Sequence, residues 1–215
     1  MHETLLPYVK DIALSGDVKA DMQILLQKND CAWTAEHCLH VADEARRTAL
    51  RFGADAAQAE LAGWLHDVSA VFPHTQRLTA ARALGLEVLP EEAAYPMILH
   101  QKLSQVMARE IFAVEDAAVL SAIGCHTTLK AGASRLDKVV FIADKLAWDG
   151  GVGSANPGTA PFYEVIVQGL ERSLDHGVFA YIDYLWQQRD TLRVLHPWLA
   201  AAHHELYIRN VRCTT

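Results

Sequence analysis

The sequence predicts an all-α protein, on three observations. Apolar residues recur at three-and-four spacing through most of the chain, capping residues stand where those stretches begin and end, and convincing strand alternation is absent throughout. The 215 residues, 51% hydrophobic and 21% charged, carry enough apolar material for one sizeable core, which excludes disorder and low complexity. Neither an internal repeat nor a Ser/Gly linker divides the chain, so residues 1–215 are expected to form a single domain.

The elements follow in order. Thr34 caps a helix that carries Cys38, Val41, Ala42, Ala45, Ala49 and Phe52 on one face and stops at Gly53. Asp55 with Gln58 has the capping-box pattern for a second helix through Ala59, Ala62, Leu65 and Ser69, which Pro73 must end. Thr75 to Leu84, closed by Gly85, is a third. Pro96 opens a fourth, with Ile98, Leu99, Leu103, Val106, Met107 and Ile111 as its apolar stripe. Asp116 starts a fifth through Val119, Leu120 and Ile123 to His126. Ser134 with Asp137 boxes the start of a sixth through Leu136, Val139, Val140, Ala143 and Ala147. Gly150 to Pro161 is the longest structureless run, either a lid or a connection, and helices over 162–174, 176–192 and 198–208 complete the chain.

Composition narrows the function classes. The net charge of -7 and pI of 5.8 offer no basic surface for a nucleic acid or an anionic membrane. No run of eighteen apolar residues occurs, and the Met-His-Glu-Thr-Leu-Leu-Pro start lacks a basic stretch followed by an apolar one, so a cytoplasmic protein is expected. Cys31, Cys38, Cys125 and Cys213 have no CxxC spacing and read as small hydrophobes. Trp33, Trp64, Trp186 and Trp198 read as core fillers, whereas Trp148 adjoins the glycine-rich run. Tyr181, Tyr184, Leu185 and Trp186 suit either a homodimer face or the intramolecular core.

Eleven histidines are an unusual supply of imidazole for this length. His37, His66, His100 and His126 fall at or near predicted apolar faces, as does Asp144, and His66-Asp67 stands inside the predicted second helix. Polar groups buried there must satisfy one another or hold a metal. A lone His-Asp dipeptide is close to what chance gives for this composition. Meaning comes from the order, in which a His, the His-Asp pair, two later histidines and a final Asp each occupy a separate predicted helix. His40, His74, His203 and His204 read as ordinary surface or packing residues.

That pattern, His37, His66-Asp67 and Asp144 within Phe141-Ile142-Ala143-Asp144-Lys145, resembles the HD-domain metal-dependent phosphohydrolases. His100 in Ile98-Leu99-His100-Gln101 and His126 in Gly124-Cys125-His126-Thr127-Thr128 make it similar to the YqeK-like branch, the symmetrical diadenosine tetraphosphate hydrolases. The resemblance covers about residues 30–150 and implies a helical HD bundle with extra C-terminal helices over 162–208. It further implies that His37, His66, Asp67 and Asp144 bind one metal, that Asp67 bridges to a second as the catalytic carboxylate, and that His100 and His126 complete the second site. Such a mixed imidazole and carboxylate set suits iron first, then manganese, cobalt, nickel or zinc. The implied reaction is attack on a nucleotide's phosphate ester or anhydride by a hydroxide bridging two metals, with a dinucleoside polyphosphate favoured. Lys102, Thr127, Thr128, Lys130 and Lys145 lie near the motifs and are candidate phosphate contacts.

The chain departs from the branch in its substrate surroundings, and so reads as a divergent paralogue. Ala70 stands where a lysine often follows the His-Asp pair, Gln101 where a small residue follows the third histidine, and Leu146-Ala147-Trp148-Asp149 where an acidic-proline-arginine segment is usual. Two alternatives follow: a di-iron oxygenase of the HD type, and a catalytically silent nucleotide-sensing domain.

Overall fold

In a computed structural model, residues 1–148 and 160–212 are described; they form helices joined by turns and loops, with no strand among them. The helices are α1 (Leu6–Val9), α2 (Val18–Lys28), α3 (Ala32–Phe52), α4 (Ala56–Leu65), α5 (Arg77–Ala83), α6 (Pro90–Ala94), α7 (His100–Glu110), α8 (Ala117–Cys125), α9 (Arg135–Leu146), α10 (Tyr163–Arg172), α11 (Leu174–Gln187) and α12 (Pro197–Arg212). The lid or connection expected over 150–161 falls almost wholly on residues outside the described ones, as do Asp149 and Cys213.

Local chemistry sets several boundaries. Gly53 ends α3 at φ 69°, a left-handed conformation that costs glycine nothing. Asp55 accepts from the Gln58 amide at 2.9 Å, but the Gln58 side chain donates to Asp116 at 2.7 Å rather than turning back, so only half of that capping box forms. The Ser134–Asp137 box is complete. α2 is absent from the expectations above, although Asp17 caps it and Met22, Leu25 and Leu26 are fully buried beneath it.

The expected second helix is shorter than its apolar spacing implies. α4 ends at Leu65, Asp67 leaves helical geometry at φ -116° and ψ 16°, and a separate 3-10 turn spans Val68–Val71. His66-Asp67 therefore lies at a break rather than within a helix. Likewise Pro96–Leu99 is a 3-10 turn and His100 opens α7.

α3 packs against α4 and α9, and α8 lies among α4, α7 and α9. The α3–α4 crossing is close enough that a Cβ on Gly63 would stand 2.5 Å from Ala42 Cα. The α10–α11 pair packs on α9, and α12 on α11. Tyr181 is buried against Phe141 and Phe162, ring centroids 5.6 and 5.0 Å away, so this part of the C-terminal apolar face serves the intramolecular core. Cys38 and Cys125 are buried free thiols, and no described helix is long and apolar enough to cross a membrane.

Candidate metal centre

Six side chains converge where the C-terminal end of α4, the start of α7, the C-terminal end of α8 and the inner faces of α3 and α9 meet: His37, His66, Asp67, His100, His126 and Asp144. His37 Nε2 is 3.2 Å from Asp144 Oδ1, and His66 Nε2 is 3.6 Å from Asp67 Oδ2 and 3.7 Å from Asp144 Oδ1. On the other side Asp67 Oδ1 stands 3.4 Å from His100 Nε2 and 3.6 Å from His126 Nε2. Asp67 thus faces histidines on both sides. The break after Leu65 allows this, because adjacent residues inside a helix point about 100° apart.

Helix ends also fix the imidazole orientations. The Nδ1–H groups of His66, His100 and His126 donate to the carbonyls of Gly63, Met97 and Ile123 at 2.8, 2.6 and 2.8 Å. A carbonyl only accepts, so each Nδ1 carries the hydrogen and each Nε2 points into the cluster, as metal-ligating histidines are held. His37 has no such anchor; Trp33 stacks on its ring at 5.5 Å with the planes 2° apart.

These residues fit a metal. His66 Nε2, which faces Asp67 and Asp144 from beyond hydrogen-bond distance, is buried without a partner. His100 and His126 bring their Nε2 atoms within 3.0 Å of each other, and one nearby hydroxyl, Thr127 Oγ1, can donate to only one of them. A cation held among the Nε2 atoms of His66, His100 and His126 suits all three.

Charge is equally polarised. Burial opposes ionisation of Asp67, yet His66, His100 and His126 beside it hold its carboxyl well below the usual range. Burial likewise opposes charge on Asp144, and Lys145 with His37 and His66 overrides it. Burial pushes His100 down to about 4 and lowers His126, so both stay neutral donors at pH 7.

A cavity of about 620 Å³ opens on the cluster. Of the five candidate phosphate contacts, Thr127 and Lys145 line it. Lys145 also holds Asp144 and donates to the His126 carbonyl at 3.2 Å. The other three point elsewhere. Lys102 donates to Glu92 at 2.8 Å and to the Glu87 carbonyl, under the Trp198 ring. Thr128 accepts from Gln101 at 3.0 Å, and Lys130 donates to Ser121 at 2.7 Å. All three lie close to the motifs in sequence, and the helix turns carry them away from the cavity. Trp33, read as a core filler, is part of the wall along with Trp148, and Arg77 and His74 are wall residues that the sequence reading did not select.

Comparison with known proteins agrees with this geometry. The family model described as HD domain matches residues 34–149, more than half of the chain. The "uncharacterized protein in pepC 5'region" of Lactococcus lactis subsp. cremoris is 45% identical over 150 residues, 70% of this chain and 73% of that protein. The symmetrical bis(5'-nucleosyl)-tetraphosphatase of Bacillus subtilis is 29% identical over 110 residues, 50% of this chain, and the match spans 58% of the tetraphosphatase. In fold, the crystal structure of a predicted HD superfamily hydrolase involved in NAD metabolism from Clostridium acetobutylicum superposes with a TM-score of 0.77 at 24% identity, covering 91% of this chain and 98% of that one. With the family model spanning every residue of the cluster, the chain belongs to the HD domain family.

Proposed function

We propose that the chain is a metal-dependent phosphohydrolase that cleaves a phosphate ester or anhydride of a nucleotide, with a dinucleoside polyphosphate as the favoured substrate. One observation carries the reading: a cluster of imidazole Nε2 atoms and carboxylates suited to a cation stands at the wall of a cavity of about 620 Å³, the size of pocket that takes a nucleotide-sized ligand. The relative named as a symmetrical tetraphosphatase supports the nucleotide class.

In this reading His37, His66, Asp67 and Asp144 hold one ion, His100 and His126 hold a second, and Asp67 is shared. Bound there, two transition-metal ions, iron first among them, supply an activated water at neutral pH and positive charge for the phosphoryl oxygens. The chain's own contributions are preorganisation and charge. The backbone anchors fix the Nε2 directions, Lys145 keeps Asp144 ionised, and Thr127 presents its hydroxyl to the same space. Trp33 and Trp148 offer aromatic faces beside the cluster, suited to stacking a base. Residues 30–150 supply every proposed ligand, and 162–208 complete the same domain. A soluble cytoplasmic nucleotide pool is the substrate source this reading requires.

Metal analysis of the purified protein, followed by a phosphate-release screen over nucleotides with iron, manganese, cobalt and nickel, tests it. Two metals per chain and turnover lost in Asp67→Ala are expected. Asp67 makes no helix-capping bond, so that variant keeps its helical content in far-UV circular dichroism. Full turnover in Asp67→Ala overturns the mechanism. Phosphate release without oxygen separates hydrolysis from the oxygenase alternative, and tight nucleotide binding with no turnover under any of these metals would favour the sensing one.

A further inference from the structure

Arg77 is 5% exposed, opens α5 and lines the same cavity. Its Nη1 donates to the Met97 carbonyl at a long 3.3 Å and touches the Met97 sulfur at 3.4 Å, while its Nε is buried with no partner at all. Among the described residues no carboxylate forms an ion pair with it. Asp67 attracts it across the cavity, but that carboxylate is already engaged by three histidines.

A permanent cation buried without a counter-ion is among the most expensive arrangements in a fold. Elsewhere in this chain buried ammonium groups are paired, Lys102 with Glu92 and Lys138 with Asp175. Arg77 differs from them in facing a cavity open to solvent, from which a counter-ion can enter. The guanidinium fork matches a phosphate group in shape and charge. Position adds to this, since the Met97 carbonyl that Arg77 touches is the same oxygen that anchors His100 Nδ1 at 2.6 Å. The guanidinium is therefore one shared oxygen away from the metal cluster. Ala70, also on this wall, contributes only a methyl group.

We infer that Arg77 forms a second anion subsite, which holds a phosphate of the substrate other than the one attacked, and that the enzyme thereby selects phosphoanhydrides over simple monoesters. The inference rests on the hydrolase reading for its catalytic consequence, and on Arg77 alone for the binding site.

The test uses the full metal-loaded chain, its Arg77→Met and Arg77→Lys variants, and two probes, inorganic pyrophosphate and inorganic phosphate, followed by their effect on thermal unfolding. Phosphate needs only the metal cluster, whereas pyrophosphate reaches both. In Arg77→Met the pyrophosphate concentration giving half the stabilising shift should rise at least tenfold, with that for phosphate changing less than twofold. Arg77→Lys, which keeps the charge without the fork, should fall between and guards against a folding defect in the Met variant. Without any anion, Arg77→Met should melt no lower than the parent, because it removes an unpaired buried charge. In turnover, KM should rise for an anhydride and not for p-nitrophenyl phosphate. An unchanged pyrophosphate midpoint, or an equal loss for both probes, overturns the subsite; the latter means that Arg77 acts only through Met97 and His100. Arg77-dependent pyrophosphate binding without turnover of any nucleotide supports the subsite while counting against the hydrolase reading.

Discussion

His100 and His126 meet nitrogen to nitrogen, Nε2 to Nε2 at 3.0 Å, while each commits its Nδ1–H to a backbone carbonyl three residues earlier. Two lone pairs thus face each other in a buried site, an unfavourable contact for the chain alone and a ready pair of ligands for a cation. Metal is accordingly expected to stabilise the fold. At a free concentration one hundred times its Kd, one bound ion adds about 2.7 kcal/mol. Scanning calorimetry of the protein as purified, after chelation, and after manganese or iron is restored measures this, and a melting temperature indifferent to all three treatments contradicts it.

Protons compete with metal at one ligand in particular. Burial acts against a charge on His66, but Asp67, Cys38 and Asp144 around it hold its pKa well above the ordinary histidine value. In the metal-free protein His66 therefore holds its proton more tightly than an ordinary histidine, and His100, pushed down to about 4, is neutral at pH 7. Metal competes with that proton, so its affinity rises with pH. For the metal-free fold the two histidines act in opposite directions. His66, raised, stabilises it fully below the unfolded value of about 6.5 and loses that contribution as pH climbs through its folded value. His100, depressed, stabilises above about 6.5, and its contribution disappears as pH falls through about 4. Titration calorimetry in buffers of different ionisation enthalpy should report proton release for the ion that His66 binds, growing as the pH of the experiment is lowered. Zero release would remove His66 from the ligand set.

Much of the fold was legible because caps and periodicity are local. Gly53, Asp116 and Ser134 act at the boundaries that the sequence assigns them. The His-Asp pair was misplaced for an instructive reason. Apolar spacing continues through Val68 and Val71, so nothing local marks the break at Asp67. The six clustered side chains were found through their order along the chain. Arg77 was not, because a lone arginine at the start of a short helix carries no pattern, and its significance depends on burial and on the carboxylate it lacks. Lys102 and Lys130 lie off the cavity for the converse reason, since closeness to a motif says nothing of side-chain direction.

Gly63 is where packing and the metal centre share one residue. A methyl group there would lie 2.5 Å from Ala42 Cα and 2.8 Å from Ala42 N, both backbone atoms that cannot swing aside. Gly63→Ala should therefore force α3 and α4 apart and destabilise the protein by roughly 1–3 kcal/mol, despite alanine's better helix propensity. The Gly63 carbonyl also anchors His66, so metal content should fall together with stability. Denaturant unfolding combined with metal analysis tests the coupling, and a variant more stable than the parent would refute the tight crossing.

Gln101 is one of the positions where the chain departs from the branch it resembles, and its side chain does specific work. Its Oε1 accepts from the amides of Thr127 and Thr128 at 3.1 and 3.3 Å, and its Nε2 donates to Thr128 Oγ1 at 3.0 Å. The residue after His100 thus clamps the turn after His126, and with it the Thr127 hydroxyl that lies between the two rings. Gln101→Leu keeps a similar volume but leaves the buried Thr128 amide and hydroxyl without these partners. A loss of about 1–3 kcal/mol is expected. Because the turn orients His126, metal affinity should also drop, by roughly 10–100-fold, the range found when residues behind metal ligands are removed. Gln101→Glu retains the acceptor oxygen for both amides and should recover part of the metal affinity, even though a buried carboxylate lowers its stability. If affinity is lost equally in both variants, the clamp acts through bulk stability and not through the turn; if it is lost in neither, Gln101 has no part in holding the metal centre.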